Sequence, residues 1–239
     1  MDVVKKHVSQ EDMMNRTNVP TALAAALPFW NRLGEDDRAL LCDNAVCASF
    51  RRGDRIHDGN GCTGVMLVQK GCLRVYMLSE GGKEITLYRL FAGEVCMLSA
   101  SCVLQNITFD VLVDAEEECE CIRIGGAAFS AVSERVPEVK VFALESAVSR
   151  FSGVMWTMQQ ILFMRFERRL AVFLLDEIAR TGGDTVKLTH EQIAKYMGSA
   201  REVVSRMLRQ FADEGLVNAS RSEGIRILDK KRLRALTLE

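Results

Sequence analysis

The chain is predicted to be an α+β protein: an N-terminal antiparallel β-barrel or jelly roll, one long helix, and a C-terminal winged helix-turn-helix. Three observations predict it. Short alternating apolar runs punctuated by glycine fill residues 46–124, and a helical period with heptad spacing fills 137–163. Two short amphipathic segments around a glycine then fill 188–217. The divisions expected from these are a polar tail over 1–20, the barrel over 21–134, the long helix over 135–163 and the winged unit over 164–239.

Composition bounds the classes. A chain of 239 residues with 48% hydrophobic content can bury two ordinary cores. The opening MDVVKKHVSQEDMMNR is polar and unlike a signal peptide, and no apolar run reaches transmembrane length. The expectation is therefore a cytoplasmic protein with no membrane partner. Eight cysteines in that setting are expected as free thiols. The net charge of −1 is unevenly spread. From Arg165 onward fifteen Lys/Arg face eleven Asp/Glu (+4), against sixteen and twenty-one before it (−5). A basic C-terminal part fits a polyanion partner.

The barrel is read from VCASFRRGDRI, GVMLVQKGCLRVYML, KEITLYRLFAGEV, NITFDVLV and ECECIRI. Turns fall at Arg52-Gly53-Asp54, Asp58-Gly59-Asn60-Gly61, Lys70-Gly71, Glu80-Gly81-Gly82 and Ala92-Gly93. Evenly spaced short strands with glycine turns close into a barrel able to enclose a small ligand. A short helical lead-in over 23–45 precedes them.

In the long helix Val141, Val148, Met155 and Leu162 recur every seven residues, interleaved with Leu144, Phe151 and Met158. Such a seam pairs with a copy of itself; the competing reading is a helix buried on its own barrel. Phe142, Val154, Trp156 and Ile161 suggest a second contact face, toward the barrel.

In LTHEQIAKYMGSAREVVSRMLRQFADEGLV, Thr189 and Gln192 have capping-box spacing, with Ile193, Ala194 and Met197 on one helical face. After Gly198, Val203, Val204, Met207, Leu208 and Phe211 define a second helix, whose open face carries Arg201, Glu202, Ser205, Arg206 and Arg209. Arginine forks onto guanine and glutamate accepts from the cytosine amino group. A bare helical hairpin with a solvated face is the competing reading, but a strand that begins at Glu214-Gly215-Leu216-Val217, a turn at Arg221-Ser222-Glu223-Gly224 and a second strand at Ile225–Leu228 follow and form a wing. A helix-turn-helix reads two half-sites about one helical turn apart, which requires a dimer. The expected partners are double-stranded DNA and a second copy of the chain.

The order barrel, long helix, winged helix-turn-helix resembles the CRP/FNR family of bacterial transcription regulators, from about Leu27 to Leu236. The resemblance rests on Phe50-Arg51-Arg52-Gly53-Asp54, Gly64–Gly71, Leu90-Phe91-Ala92-Gly93-Glu94, Phe166-Glu167-Arg168-Arg169-Leu170-Ala171 and the helix-turn-helix. It implies a cyclic-nucleotide-binding-like barrel that senses an effector, a dimerising helix, and contact with RNA polymerase. It places Arg201, Glu202 and Arg206 where one branch reads a TGTGA-type half-site, and Ser205 where another branch uses serine. A palindrome with TGA in each half is implied, with Thr189, Ser199 and Arg209 toward the DNA backbone. Ala200 and Val203 depart from the hydroxyl residues of the cyclic-AMP branch.

The effector stays open. Gly93, Glu94, Ser99, Ser101 and Thr108 are the candidate pocket residues. No arginine lies between Arg89 and Arg123 to neutralise a cyclic phosphate, so cyclic AMP and GMP are disfavoured. No cysteine precedes Cys42, as the iron–sulfur branch would require. A metal or redox site from Cys96, Cys102, Cys119 and Cys121 is an alternative, although scattered cysteines are usually small core hydrophobes. Of the three histidines only His57 stands in the barrel, which disfavours haem and leaves a cupin-type metal enzyme without its ligands.

Overall fold

The computed structural model describes residues 19–59, 63–82, 84–97, 111–220 and 224–238. Its residues fall into two compact units, 1–77 with 87–153, and 78–86 with 154–239.

The predicted lead-in is three pieces rather than one helix. Helix α1 spans Val19–Ala26, a 3-10 turn Trp30–Arg32, and α2 Glu35–Asp43. Pro28 cannot continue α1, and Gly34 sits extended before α2. Glu35, Asp36 and Asp37 then fill the first turn of α2, where negative charge favours the helix dipole.

Among the described residues eight strands follow: β1 Ala45–Phe50, β2 Arg55–His57, β3 Val65–Lys70, β4 Cys72–Leu78, β5 Glu84–Phe91, β6 Val95–Cys96, β7 Leu112–Ala115 and β8 Cys119–Ile124. They form two four-stranded sheets ordered β1-β8-β3-β6 and β2-β7-β4-β5. Neighbours in sequence are mostly not neighbours in a sheet, which is the jelly-roll form of the two predicted alternatives. The pairings β1–β8, β3–β8, β3–β6, β2–β7 and β4–β7 are antiparallel.

The period of two sorts the side chains of β8. Ile122 and Ile124 join Val65 and Leu67 in a buried cluster with Leu23, Leu41, Phe129 and Val139, beneath the helices. Cys119 and Cys121 therefore stand on the opposite face. Val65 to Val68 are all buried, so β3 is covered on both faces, which accounts for its unbroken apolar run.

Gly64 opens β3 with φ +92°, and a Cβ there would fall 2.3 Å from the carbonyl oxygen of Ile124. That oxygen is backbone of the adjacent strand and cannot swing aside. Gly64→Ala is expected to destabilise the barrel by roughly 3 kcal/mol, combining strain and overpacking, visible as a melting midpoint several degrees lower. An unchanged midpoint would refute the close approach.

Helix α3, Gly126–Arg135, leads into the long helix α4, Pro137–Phe163. Val136 is extended, as a residue before proline prefers, and Pro137 starts α4 where its missing N–H costs nothing. Val139 and Ala143 are the buried residues of α4, and Phe142 packs edge-on against Phe29 with centroids 5.2 Å apart. The expected second contact face does not continue along the helix: Trp156 is 45% and Ile161 37% exposed.

In the second unit α5, Phe166–Thr181, ends on Gly182 in the left-handed conformation, and β9 covers Thr185–Val186. Helices α6, His190–Met197, and α7, Arg201–Asp213, follow, then β10 Val217–Ser220, β11 Gly224–Ile227 and α8 Lys230–Ala235. Leu170, Leu174, Ile193, Val204, Leu208, Phe211 and Leu233 share one buried core. The wing differs from expectation by one strand. Besides β10–β11, β11 pairs with β9 through Ile225↔Val186 and Arg226↔Thr185, giving a three-stranded sheet. The two-residue strand β9 is too short to announce itself by alternation. The wing residues 221–223 lie outside the described residues.

Candidate nucleic-acid interface

The first helix of the pair is set by its caps. The Thr189 hydroxyl accepts the Gln192 backbone N–H at 3.2 Å, and the Gln192 side chain accepts the Thr189 N–H at 2.9 Å, completing the capping box. At the other end Gly198 is left-handed (φ 59°), the backbone that turns α6 into α7. The Ser199 N–H closes the turn on the carbonyl of Ala194 at 2.9 Å. The Arg169 guanidinium donates to the carbonyl of Met197, an unpaired acceptor at the helix end. That gives the second arginine of Phe166-Glu167-Arg168-Arg169-Leu170-Ala171 its task, tying α5 to the turn. Burial lowers its pKa.

Val204, Leu208 and Phe211 bury the inner face of α7, which leaves Arg201, Glu202, Arg206 and Arg209 exposed. With Ser205 these four line one shared open groove. Three guanidinium groups and a carboxylate within little more than two turns of helix suit base edges and phosphates together. Ser205 is half-buried, and its Oγ lies 2.8 Å from Nδ1 of His190, the first residue of α6. Thr189 is exposed and Ser199 half-buried.

All seven seam residues of α4 are solvent-exposed: Val141, Leu144, Val148, Phe151, Met155, Met158 and Leu162 range from 45% to 66%. A row of this length left open on one chain is an apolar surface awaiting a partner.

In the first unit Glu94 is fully engaged. One carboxylate oxygen accepts the Phe91 N–H at 2.8 Å, and the other takes a hydrogen bond from Arg150 at 3.0 Å. The Arg150 guanidinium lies over the Tyr88 ring, 5.0 Å from its centre. The Tyr88 hydroxyl is buried with no hydrogen-bond partner among the described residues, and burial pushes its pKa far up. Arg150 escaped the sequence reading, which sought a cation near Glu94 in the chain. Its one signal is that it is the sole Lys or Arg between Lys140 and Arg165, on an otherwise apolar helix. Gly93 is beside Glu94 at φ +88°. Ser99, Ser101, Thr108 and Cys102 lie outside the described residues.

Cys96, Cys119 and Cys121 are buried, and burial pushes Cys121 and the neighbouring Cys72 up to about 12 and raises Cys119. Among the described residues no three His, Cys, Asp or Glu side chains are placed to hold a metal ion. His57 is buried, with Nδ1 2.7 Å from the Thr63 hydroxyl.

Residues 48–135 match the cyclic nucleotide-binding domain family, and residues 168–236 the Crp-like helix-turn-helix domain family. A crystal structure from Eubacterium rectale, described as a transcriptional regulator of the CRP/FNR family, is 42% identical, with TM-score 0.82 over 90% of this chain and 99% of that one. The chain belongs to the CRP/FNR family. Two further likenesses show how widely its fold is used. The cAMP-activated global transcriptional regulator CRP of Haemophilus influenzae is 24% identical, the match covering 69% of this chain and 75% of that protein. The structure of CooA from Carboxydothermus hydrogenoformans is 20% identical, with TM-score 0.66 over 90% of this chain and 96% of that one. CRP/FNR proteins are DNA-binding transcription regulators, not enzymes; they act as dimers and contact RNA polymerase. Among the described residues no helix is long and apolar enough to cross a membrane.

Proposed function

We propose that this regulator works in the cytoplasm as a homodimer that reads a palindrome with a TGA-containing sequence in each half. Arg201, Glu202, Ser205 and Arg206 read base edges, while Thr189, Ser199 and Arg209 hold the DNA backbone. The observation that carries this reading is the convergence of Arg201, Glu202, Ser205, Arg206 and Arg209 on one groove of an exposed helix face. The dimer forms along Val141, Leu144, Val148, Phe151, Met155, Met158 and Leu162, and RNA polymerase is its onward partner. A gel-shift titration on duplexes of about 20–30 base pairs, a TGA palindrome against a scrambled control, tests it. Equal binding to both, with and without cell-derived small molecules, would remove the reading.

The effector is a small organic molecule held in the barrel beside Gly93 and Glu94, with Ser99, Ser101 and Thr108 as further candidates. Support comes from the buried Tyr88 hydroxyl, which has no hydrogen-bond partner among the described residues, on a ring covered by the Arg150 that pairs with Glu94. Cyclic AMP and GMP remain disfavoured: Arg150 supplies a cation, but Glu94 already neutralises it. The high pKa of the buried Cys72 and Cys121 thiols supports core cysteines over a thiolate sensor, while the lack of any cysteine before Cys42 and the lone barrel histidine His57 disfavour an iron–sulfur or haem site. An ultraviolet–visible spectrum with iron and zinc analysis, on protein purified without oxygen, decides between these. A chromophore or stoichiometric metal would restore the sensor built from Cys96, Cys102, Cys119 and Cys121.

A further inference from the structure

No motif singles out His190. It opens α6, fifteen residues before Ser205, and the turn at Gly198 sets α7 across α6 so that the two side chains meet at 2.8 Å. Ser205 lies in the groove between Arg201 and Glu202 on one side and Arg206 and Arg209 on the other. A serine hydroxyl is a free rotor with one proton to give and two lone pairs to receive. Alone on a helix face, it accepts whichever base edge arrives and discriminates little. The bond to the imidazole ends that freedom. With Nδ1 unprotonated, the Ser205 O–H is donated to His190 and lone pairs are left for the DNA. Ser205 is then an acceptor, matched to the amino group of adenine or cytosine in the major groove. With Nδ1 carrying hydrogen, the imidazole donates and the hydroxyl proton is left for guanine O6 or N7 or thymine O4.

We propose that His190 is a positioning residue for base readout: through its 2.8 Å hydrogen bond it sets whether Ser205 presents a donor or an acceptor to the half-site. The inference rests on the reading of α7 as the recognition helix. It goes further in giving a residue of the other helix, one that touches no base, control over one base-pair preference.

The test is a preference profile. Wild type, His190→Ala, His190→Asn, Ser205→Ala and the His190→Ala/Ser205→Ala double variant are each bound to duplexes in which every half-site position is varied in turn. Asparagine carries a polar atom at the reach of Nδ1, so it keeps the bond without the ring. Ser205→Ala is expected to reduce discrimination about three- to tenfold at one base pair of each half-site, the scale of one neutral hydrogen bond. His190→Ala is expected to give the same loss at the same base pair, and the double variant no further loss. His190→Asn should restore discrimination at that base pair, with the wild-type preference or its inverse according to which amide atom faces Ser205, which also shows that the helix pair still folds with residue 190 replaced. The proposal is overturned if His190→Ala leaves the profile unchanged, if it weakens all duplexes evenly, or if the two losses add. A wild type with no base preference at all is a different failure, because it removes the recognition reading together with the proposal.

Discussion

Replacing Glu202 or Arg206 with alanine is expected to cost about 1–3 kcal/mol of discrimination at one base pair of each half-site. Both side chains are exposed on α7 and line the same groove, so neither substitution opens a cavity or orphans a buried group. The apolar face that holds α7 in place, Val204, Leu208 and Phe211, is untouched. Folding stability should therefore stay within the small range of surface substitutions, about 0.5 kcal/mol either way. In the proposed palindrome each loss counts twice per bound dimer. The affinity ratio between the preferred palindrome and its single-base variants measures the effect.

Thr189→Ala provides the contrast. The hydroxyl caps α6 and is proposed to touch the DNA backbone, so its loss should weaken every duplex alike and cost about 1 kcal/mol of stability through the lost cap. If Glu202→Ala and Thr189→Ala give the same flat profile, α7 is not the element that reads bases.

A carboxylate placed in the seam is expected to separate the dimer. Phe151→Glu removes an aromatic from a row of seven apolar side chains and, in a symmetric pair, brings two like charges into one desolvated strip. The lost burial alone is about 1.5–3 kcal/mol for each copy. Together these should raise the dimer dissociation constant by at least roughly a hundredfold. Phe151 is 65% exposed on a single chain, so the folded monomer should survive, and a loss of dimer cannot be put down to unfolding. Sedimentation across a concentration series reads the change directly. Specific DNA binding should fall with it, since one helix-turn-helix holds only one half-site. An unchanged dimer with Phe151→Glu would transfer pairing to another surface and return the apolar row on α4 to an unexplained patch.

Much of this was legible in local pattern. The capping box at Thr189 and Gln192, the turn at Gly198 and the buried positions of α7 are short-range features, set by residues within one or two helical turns. The heptad row on α4 is legible for the same reason, although periodicity alone cannot say whether an apolar face meets its own barrel or a second chain. The exposure of all seven residues on one chain favours the second. Where pattern failed, the elements were short or the causes distant: the three-piece lead-in, the two-residue β9, and the exposed Trp156 and Ile161.

By itself, then, the amino-acid sequence determined the order of the units, the class of the protein and the charged face that α7 leaves exposed, because periodicity, caps and glycine turns act between near neighbours. Tertiary structure alone decided the pairs that span long stretches of chain. Arg150 reaches Glu94 across 56 residues, Arg169 reaches the carbonyl of Met197 across 28, and His190 meets Ser205 across 15. No spacing rule foretells such pairs, since each depends on how separate elements pack, and packing is settled by burial summed over the whole core.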